Sequence, residues 1–532
     1  MAGLDGNILG VGQLNLRHLD NTGEHLPADP VAPDSLQGVP RQQTNPARWQ
    51  GQHWSDFCAG LAKDDIAVLQ GHVDRTLFHT DAGGVAFGLP HGVVRPASEH
   101  DVSAVLRAAQ THRVPVTVRG GGLTTEGESV AFGGLLLDVS SLNRVLDIDP
   151  NAMTVRTEAG IFWHSLAEAL RRQGMDYLSA PLNLTSSVGG TLGVGGIDIN
   201  SPRLGCSADQ AVSVQVVTPT GDVVECSEDR NPELFERVLL GYGQFGVIVK
   251  ATLRIRPFTP ILMRYFYYRS LPKAIADMQR LVEEDAADYC GILTMVDQAI
   301  NLLVAFDSDE REQEFLARHA SRLRGFSEIS YAVRAAGYYA CHPWRLREAQ
   351  FLLNRRLELF PDFHRSEYMR DGKIVDRTVV FSRAVWKHWG GRQMVIPDLA
   401  TNGGKFIEAV VRGNQVCRKY FPYYTLYCVG IKLGQRRQRY ELSSIPPDAG
   451  AFAYGCEFEP MLFDRTYSRD YLQSFKNEIY DIGVDMQTSY YRFGGMMKGY
   501  IRQALGDEVV EKHLALKKTA DPAMILNPDV IF

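Results

Sequence analysis

A chain of 532 residues, 45% hydrophobic and 22% charged, is long enough for two or more domains with cores of their own. Its formal net charge of -6 is spread too thinly to attract nucleic acid or an anionic membrane, so both are excluded as bulk electrostatic partners and a small, neutral or weakly ionised organic substrate is expected. No run reaches the roughly 20 apolar residues that span lipid, and Met1 to Gly10 hold no basic stretch ahead of an apolar core, so the expectation is no membrane segment and cytoplasmic residence.

The eight cysteines are dispersed, without CxxC pairs, and read as buried thiols, although an even count leaves a disulfide open. Neither HExxH nor a Cys/His zinc spacing occurs, so no metal is expected.

In chain order, residues 22–50 carry five prolines among polar residues and read as an irregular arm, set within an N-terminal region of 1–59. From about residue 60, strand and helix signals alternate. Val102–Ala109 has helical spacing, and Val114–Val118 is a short strand leading into Arg119-Gly120-Gly121-Gly122-Leu123-Thr124. Further strands are read at Leu135–Val139, Val145–Ile148 and Thr154–Thr157, followed by an amphipathic helix over Ile161–Gln173. Ala211–Thr218 and Val223–Cys226 form a hairpin around Gly221-Asp222, Pro232–Leu240 a helix and Val247–Ile255 a returning strand. Beyond Pro257 the composition turns aromatic, with helices expected at 271–285 and 308–324 and strands at 291–306, 403–411, 423–432 and 451–459. The organisation read here is a first domain over 60–257, a second over 258–490, and a return to the first over 491–532.

Three glycine-dense segments adjoin these strands: Arg119–Gly127, Ser187–Gly196 and Gly241–Ile248. Glycine permits positive φ and close backbone approach, and consecutive amides after a strand can converge on an anion. The bland alternative is that these glycines only make turns. GxGxxG in a strand–turn–helix context and GxxxxGK[ST] are both missing, which argues against a nicotinamide fold or a P-loop.

These blocks, with Leu184–Leu192 and the terminal Asp521–Pro528, resemble the vanillyl-alcohol-oxidase and p-cresol-methylhydroxylase (PCMH) flavoprotein superfamily, particularly its cytokinin dehydrogenase-like members. The resemblance implies an α+β fold: a two-part FAD-binding domain of the PCMH type with an inserted α+β substrate domain. It implies FAD contacts at Arg119, Gly120, Gly121, Gly122, Leu123, Thr124, Gly127, Thr185, Ser187, Val188, Gly189, Gly190, Thr191, Gly195, Ile197, Val247, Ile248 and Asn527.

Departures from the family sharpen the expectation. Where its members carry a flavin-linking histidine this chain has Leu123, which has no nucleophilic atom, so non-covalent FAD is expected unless another residue, such as Cys206, supplies a tether. The family's catalytic aspartate and glutamate are replaced near Leu182 and Asn183 and near Cys290 and Gly291, and an asparagine can orient or polarise a substrate but cannot act as the same general base.

Candidate catalytic residues are therefore Tyr491, Arg492, Asn183 and Glu457. Tyr491-Arg492 resembles a pair that holds phenolates, and a phenol donor beside a fixed cation could stabilise a developing oxyanion. Glu457 and Glu459 share one face of their strand, where a buried carboxylate could take a proton, although a solvated face is the expected reading for both. The run Arg436-Arg437-Gln438-Arg439 reads as a solvated turn.

The resulting expectation is an FAD-dependent oxidoreductase of specialised metabolism that moves hydride from a C–H next to nitrogen or oxygen to flavin N5, with oxygen or another acceptor reoxidising it. The alternatives are a phenolic alcohol or alkylphenol oxidase and a catalytically decayed flavin-binding protein.

Overall fold

The computed structural model describes residues 49, 51–319 and 395–531 apart from short gaps, and between 320 and 394 only the strand pairs 333–334, 369–370 and 373–374. The proline-rich arm other than Trp49, Leu182, the 436–439 run and the last turns of the helix expected to residue 324 lie outside the described residues.

Three layers of sheet organise the α+β fold. The smallest is parallel, with β1 (Gly92–Val94), β3 (Leu135–Asp138) and β2 (Val116–Arg119) in that order. Leu135, Leu136 and Leu137 are all buried because both faces of this sheet are covered. The helix Glu99–His112 supplies one cover. Ser98 caps it by accepting from the Asp101 amide, its Val102, Val105, Leu106 and Ala109 fall on one buried stripe, and Arg113 ends it in the left-handed region at φ 54°. Phe57 and Leu61 of the helix Trp54–Lys63 pack into the same core, so the compact body begins a few residues before position 60.

The second sheet runs β4 (Val145–Asp149), β5 (Thr154–Glu158), β9 (Val247–Pro257), β7 (Ala211–Val217) and β8 (Val223–Ser227), with β6 (Met175–Tyr177) also pairing with β9. The third contains β10 (Leu262–Tyr268), β11 (Tyr289–Thr294), β12 (Ile300–Phe306), β13 (Val333–Arg334), β16 (Asp398–Thr401), β17 (Tyr424–Lys432) and β18 (Phe452–Pro460), in the antiparallel order β13-β10-β12-β11-β17-β18-β16. A separate hairpin pairs β14 (Met369–Arg370) with β15 (Lys373–Ile374).

Residues 403–411 correct the sequence reading. They are not a strand but the start of the helix Gly403–Tyr420, capped by Asn402 accepting from the Lys405 amide. Ile407, Val410 and Val411 carry a strong β signal, but Phe406, Ala409, Val410, Gly413 and Cys417 repeat at helical spacing and bury against the third sheet, so tertiary packing decides. The region 291–306 is likewise two strands rather than one.

Two ties close the molecule around the glycine segments. Leu526 bridges in parallel to Val116, and Asn527 donates its amide to Val116 O, accepts from the Val118 amide at 2.8 Å and donates its side-chain N–H to Gly243 O at 3.0 Å. From the third sheet, the helix Arg469–Met486 sends Lys476 to Glu126 at 2.6 Å and Tyr480 to the same carboxylate at 2.7 Å. No helix among the described residues is long and apolar enough to cross a membrane.

Candidate active site

One continuous cavity lies where the three glycine segments meet the third sheet. Its floor starts at the end of β2. Among the described residues the five consecutive amides of Gly120, Gly121, Gly122, Leu123 and Thr124 have no hydrogen-bond acceptor, whereas the carbonyls of Gly122 and Thr124 are taken by the amides of Ala82 and Gly83. Such a row of free N–H groups at a cavity wall is a site for an anion. A side chain at Gly120 would run into Ser187 Oγ, and Gly122 has φ +65°, so both positions require glycine for steric reasons. Ser187 accepts from the Gly190 amide at the start of the helix Val188–Val194, and Gly189, Gly190 and Thr191 line the cavity from that side. The residues fit a bound dinucleotide: the free amides suit a diphosphate, and they line a cavity whose two walls approach too closely for side chains at Gly120 and Gly122.

Of the residues expected from the sequence to contact FAD, Gly120, Gly121, Gly122, Leu123, Thr124, Ser187, Gly189, Gly190, Thr191, Ile197, Val247, Ile248 and Asn527 line this cavity. Arg119, Gly127, Thr185, Val188 and Gly195 stand behind it. Arg119 donates to Thr80 O and Ser129 O, and Gly127 donates to Asp81 Oδ2 at 2.9 Å, which also accepts from Thr124. Thr185 donates to Asn183, Val188 is fully buried in the core, and Gly195 sits against Leu240 and Tyr491.

The four candidate catalytic residues Tyr491, Arg492, Asn183 and Glu457 also meet in the cavity. Asn183 Oδ1 accepts from the amide and hydroxyl of Thr185, at 3.1 and 2.6 Å, which leaves its side-chain N–H groups as donors. Tyr491 accepts from the Gly196 amide at 2.8 Å, and burial raises its pKa, so it is a neutral phenol. Arg492 is clamped: Nε faces Asp398 Oδ2 at 3.4 Å, Nη2 donates to Ile396 O at 3.1 Å and lies 3.5 Å from Glu457 Oε1. Burial works against the charge on Arg492, but Glu457 and Asp398 outweigh it and hold the guanidinium pKa above its ordinary value.

β18 corrects the expectation that Glu457 and Glu459 form a solvated face. Alternation sends Cys456 and Phe458 into the helix-covered core and Glu457 and Glu459 into the cavity, with Glu459 only 7% exposed. Burial and the neighbouring Glu457 push the Glu459 carboxyl up to about 8, against a hydrogen bond from Thr425 Oγ1 at 3.0 Å. Cys206 is fully buried outside the cavity lining.

Three acidic residues had no counterpart in the sequence reading. Glu128 lines the cavity and burial, with Asp81 and Glu126 nearby, raises it to about 8. Burial lifts Asp81 to about 6 and Asp398 to about 7. Only Asp398 gave a signal, as a lone charge inside the apolar run Val395–Ala400.

These raised values fix a sign for pH dependence. Each group binds its proton more tightly folded than unfolded, where carboxyls titrate near 4, so their stabilisation is complete below that value and is lost as pH rises through about 6 to 8. Urea unfolding of the cofactor-free protein should show stability falling by about 1–3 kcal/mol from pH 6 to pH 8.5, and Glu128→Gln should flatten that slope.

Comparison with known proteins bears on the fold and the cofactor class. The family model of an FAD binding domain matches residues 90–227, which include the first two glycine segments. The chain superposes on 4-ethylphenol oxidase from Gulosibacter chungangensis, solved with isoeugenol, at a TM-score of 0.69 and 15% identity, covering 92% of this chain and 99% of that one. The chain has a PCMH-type FAD-binding fold. Xylooligosaccharide oxidase from Myceliophthora thermophila C1 gives a TM-score of 0.65 at 14% identity, over 89% of this chain and 98% of that one.

Among curated proteins, an uncharacterized oxidoreductase in the fasciation locus of Rhodococcoides fascians is 35% identical over 226 residues, 40% of this chain and 51% of the relative. Cytokinin dehydrogenase 10 of Oryza sativa subsp. japonica is 31% identical over 289 residues, 50% of this chain and 51% of the relative. The chain thus spans about half the length of these two curated relatives.

Proposed function

We propose that this protein is an FAD-dependent oxidoreductase that removes hydride from a C–H bond next to nitrogen or oxygen of a small organic substrate. The observation that carries the reading is that a row of free main-chain amides and a half-buried set of polar side chains, Asn183, Tyr491, Arg492 and Glu457, open into the same cavity. Gly120 to Thr124 and Ser187 to Thr191 would hold the dinucleotide, with Ile197, Val247, Ile248 and Asn527 around it. Bound FAD supplies a two-electron acceptor for hydride.

The chain's own groups do the rest. Asn183 donates N–H to a substrate heteroatom, Tyr491 offers a neutral phenol, and Glu457 holds or takes a proton while Arg492 fixes its position. Oxygen or another acceptor then regenerates the site. The 4-ethylphenol oxidase shares the fold, and a phenol substrate would use Tyr491 and Arg492. Arg492, however, is already engaged by two carboxylates, which favours a substrate that brings no negative charge.

With Leu123 at the turn and Cys206 outside the cavity lining, FAD binding is proposed to be non-covalent. Acid precipitation of the yellow protein should release the chromophore to the supernatant; a coloured pellet would refute this. The function is tested by anaerobic exposure to amines, alcohols and phenols while following absorbance near 450 nm. Bleaching with one class is the expected result, and FAD that stays oxidised throughout would indicate a flavin-binding protein without catalysis.

A further inference from the structure

The excess of carboxyl groups around the cavity is not explained by hydride transfer as such. β18 presents Glu457 and Glu459 to it side by side, and the register extends this acidic surface across the sheet: Asp398 on β16 lies opposite Glu457, and Thr425 on β17 lies opposite Glu459. Glu128 joins from beyond the first glycine segment. Among the described residues one cation, Arg492, contacts this group, and its contacts go to Asp398 and Glu457. Lys476, fully buried in the next layer, is bound to Glu126. Among the described residues Glu459 therefore accepts from the Thr425 hydroxyl, has the Glu457 carboxyl beside it on the same strand face, and makes no ion pair of its own.

Two carboxyls side by side at one cavity wall repel each other, and Glu459 is buried without a cation of its own, the Arg492 contacts going to Asp398 and Glu457, which is costly for an ionised group. A cation delivered by the ligand removes that cost. A phenolate or carboxylate ligand increases it.

We infer that the Glu457–Glu459 pair is the recognition site for a positively charged nitrogen, and that the substrate class of this protein is a basic aliphatic amine. The inference rests on the proposed oxidoreductase reading and narrows it, since a C–H beside nitrogen is one of the two bonds that reading allows: the bound ammonium would first pass its N–H proton to the carboxylate that pairs with it, and the neutral amine would then lose hydride to the two-electron acceptor and leave as the iminium. The groups facing Glu459 are Glu457 on its own strand, Thr425 on β17, and Arg492 after the helix Arg469–Met486, with Asp398 of β16 behind Arg492. A cation arriving among them replaces the proton that Glu459, raised to about 8, otherwise keeps at neutral pH.

The test uses the FAD-loaded protein and benzyltrimethylammonium, a permanent cation with no N–H proton, titrated by its perturbation of the flavin spectrum. Binding should weaken about ten-fold or more in Glu459→Gln and in Glu457→Gln. Calorimetry at pH 7 in buffers of different ionisation enthalpy should show release of about one proton per cation bound by the wild type and none by Glu459→Gln. N-methylbenzylamine should bleach the flavin faster than 4-hydroxybenzyl alcohol.

Equal binding of the probe to wild type and both variants, or no binding while an alcohol or phenol bleaches the flavin, overturns the amine site and leaves the oxidoreductase reading standing. Probe binding that depends on Glu459 while no compound bleaches the flavin does the reverse. Should Glu459→Gln fail to fold, Glu457→Gln carries the same comparison, because it removes the other half of the pair.

Discussion

Replacing Arg492 by methionine is expected to lower the unfolding free energy by about 3–5 kcal/mol and to abolish turnover, because it leaves buried carboxylates without their counter-cation. The guanidinium answers three acceptors at once, Asp398 Oδ2, Ile396 O and Glu457 Oε1, from one fixed plane. Arg492→Lys keeps the charge but cannot reproduce that fork, so it should recover stability only in part. The deficit should shrink on acidification. Asp398 already sits at about 7 with the arginine in place, and without that cation it protonates more readily still, so at pH 5.5 the variant buries a neutral acid there rather than an anion. Urea titrations of wild type and variant at pH 5.5 and 8 would measure this. A deficit that is small at pH 8, or equal at both pH values, would mean that Arg492 does not neutralise this cluster.

The same residues show what the sequence could and could not reveal. Tyr491-Arg492 was legible as a pair because a tyrosine and an arginine follow one another where the chain returns toward the first sheet. Their clamp was not, since Asp398 lies 93 residues from Tyr491 in the chain and meets it where Ala400 of β16 bridges to Ser489. Glu459 was visible as Glu457's neighbour on one strand face, but alternation alone does not say which face is wet. In β18 both faces are covered: Cys456 and Phe458 lie in the core, and Glu457 and Glu459 face the cavity rather than the outer surface.

The glycine blocks and the α+β alternation of residues 92–257 read well because local chemistry determines them: β-branched runs, Ser98 and Ser187 as caps, and Gly221 at a hairpin. The helix at Gly403–Tyr420 did not, since its β-branched residues favour a strand until the neighbouring sheet and the Asn402 cap are in place. Glu128 was also out of reach, since a glutamate directly after the last glycine of a loop ordinarily faces water.

Gly120→Val should cost FAD binding far more than it costs the fold. The added side chain would occupy the space of Ser187 Oγ, so either the first glycine segment or the start of the helix Val188–Val194 must move, and these are the two walls between which the free amides converge. Overpacking of this kind destabilises by about 1–3 kcal/mol, which a protein of this size can absorb. The amide row cannot absorb it in the same way, since anion binding depends on several N–H groups aiming at one point, and a displacement of about 1 Å removes several weak bonds together. Reconstitution of the cofactor-free variant with FAD should therefore show affinity reduced about a hundred-fold, with a melting temperature only a few degrees lower. Gly60→Ala provides the contrast. Its added methyl meets nothing within 4 Å in the helix Trp54–Lys63, so the same class of change there should leave FAD content intact and raise stability by up to about 1 kcal/mol. If Gly120→Val takes up FAD as the wild type does, the amides after β2 are not the cradle.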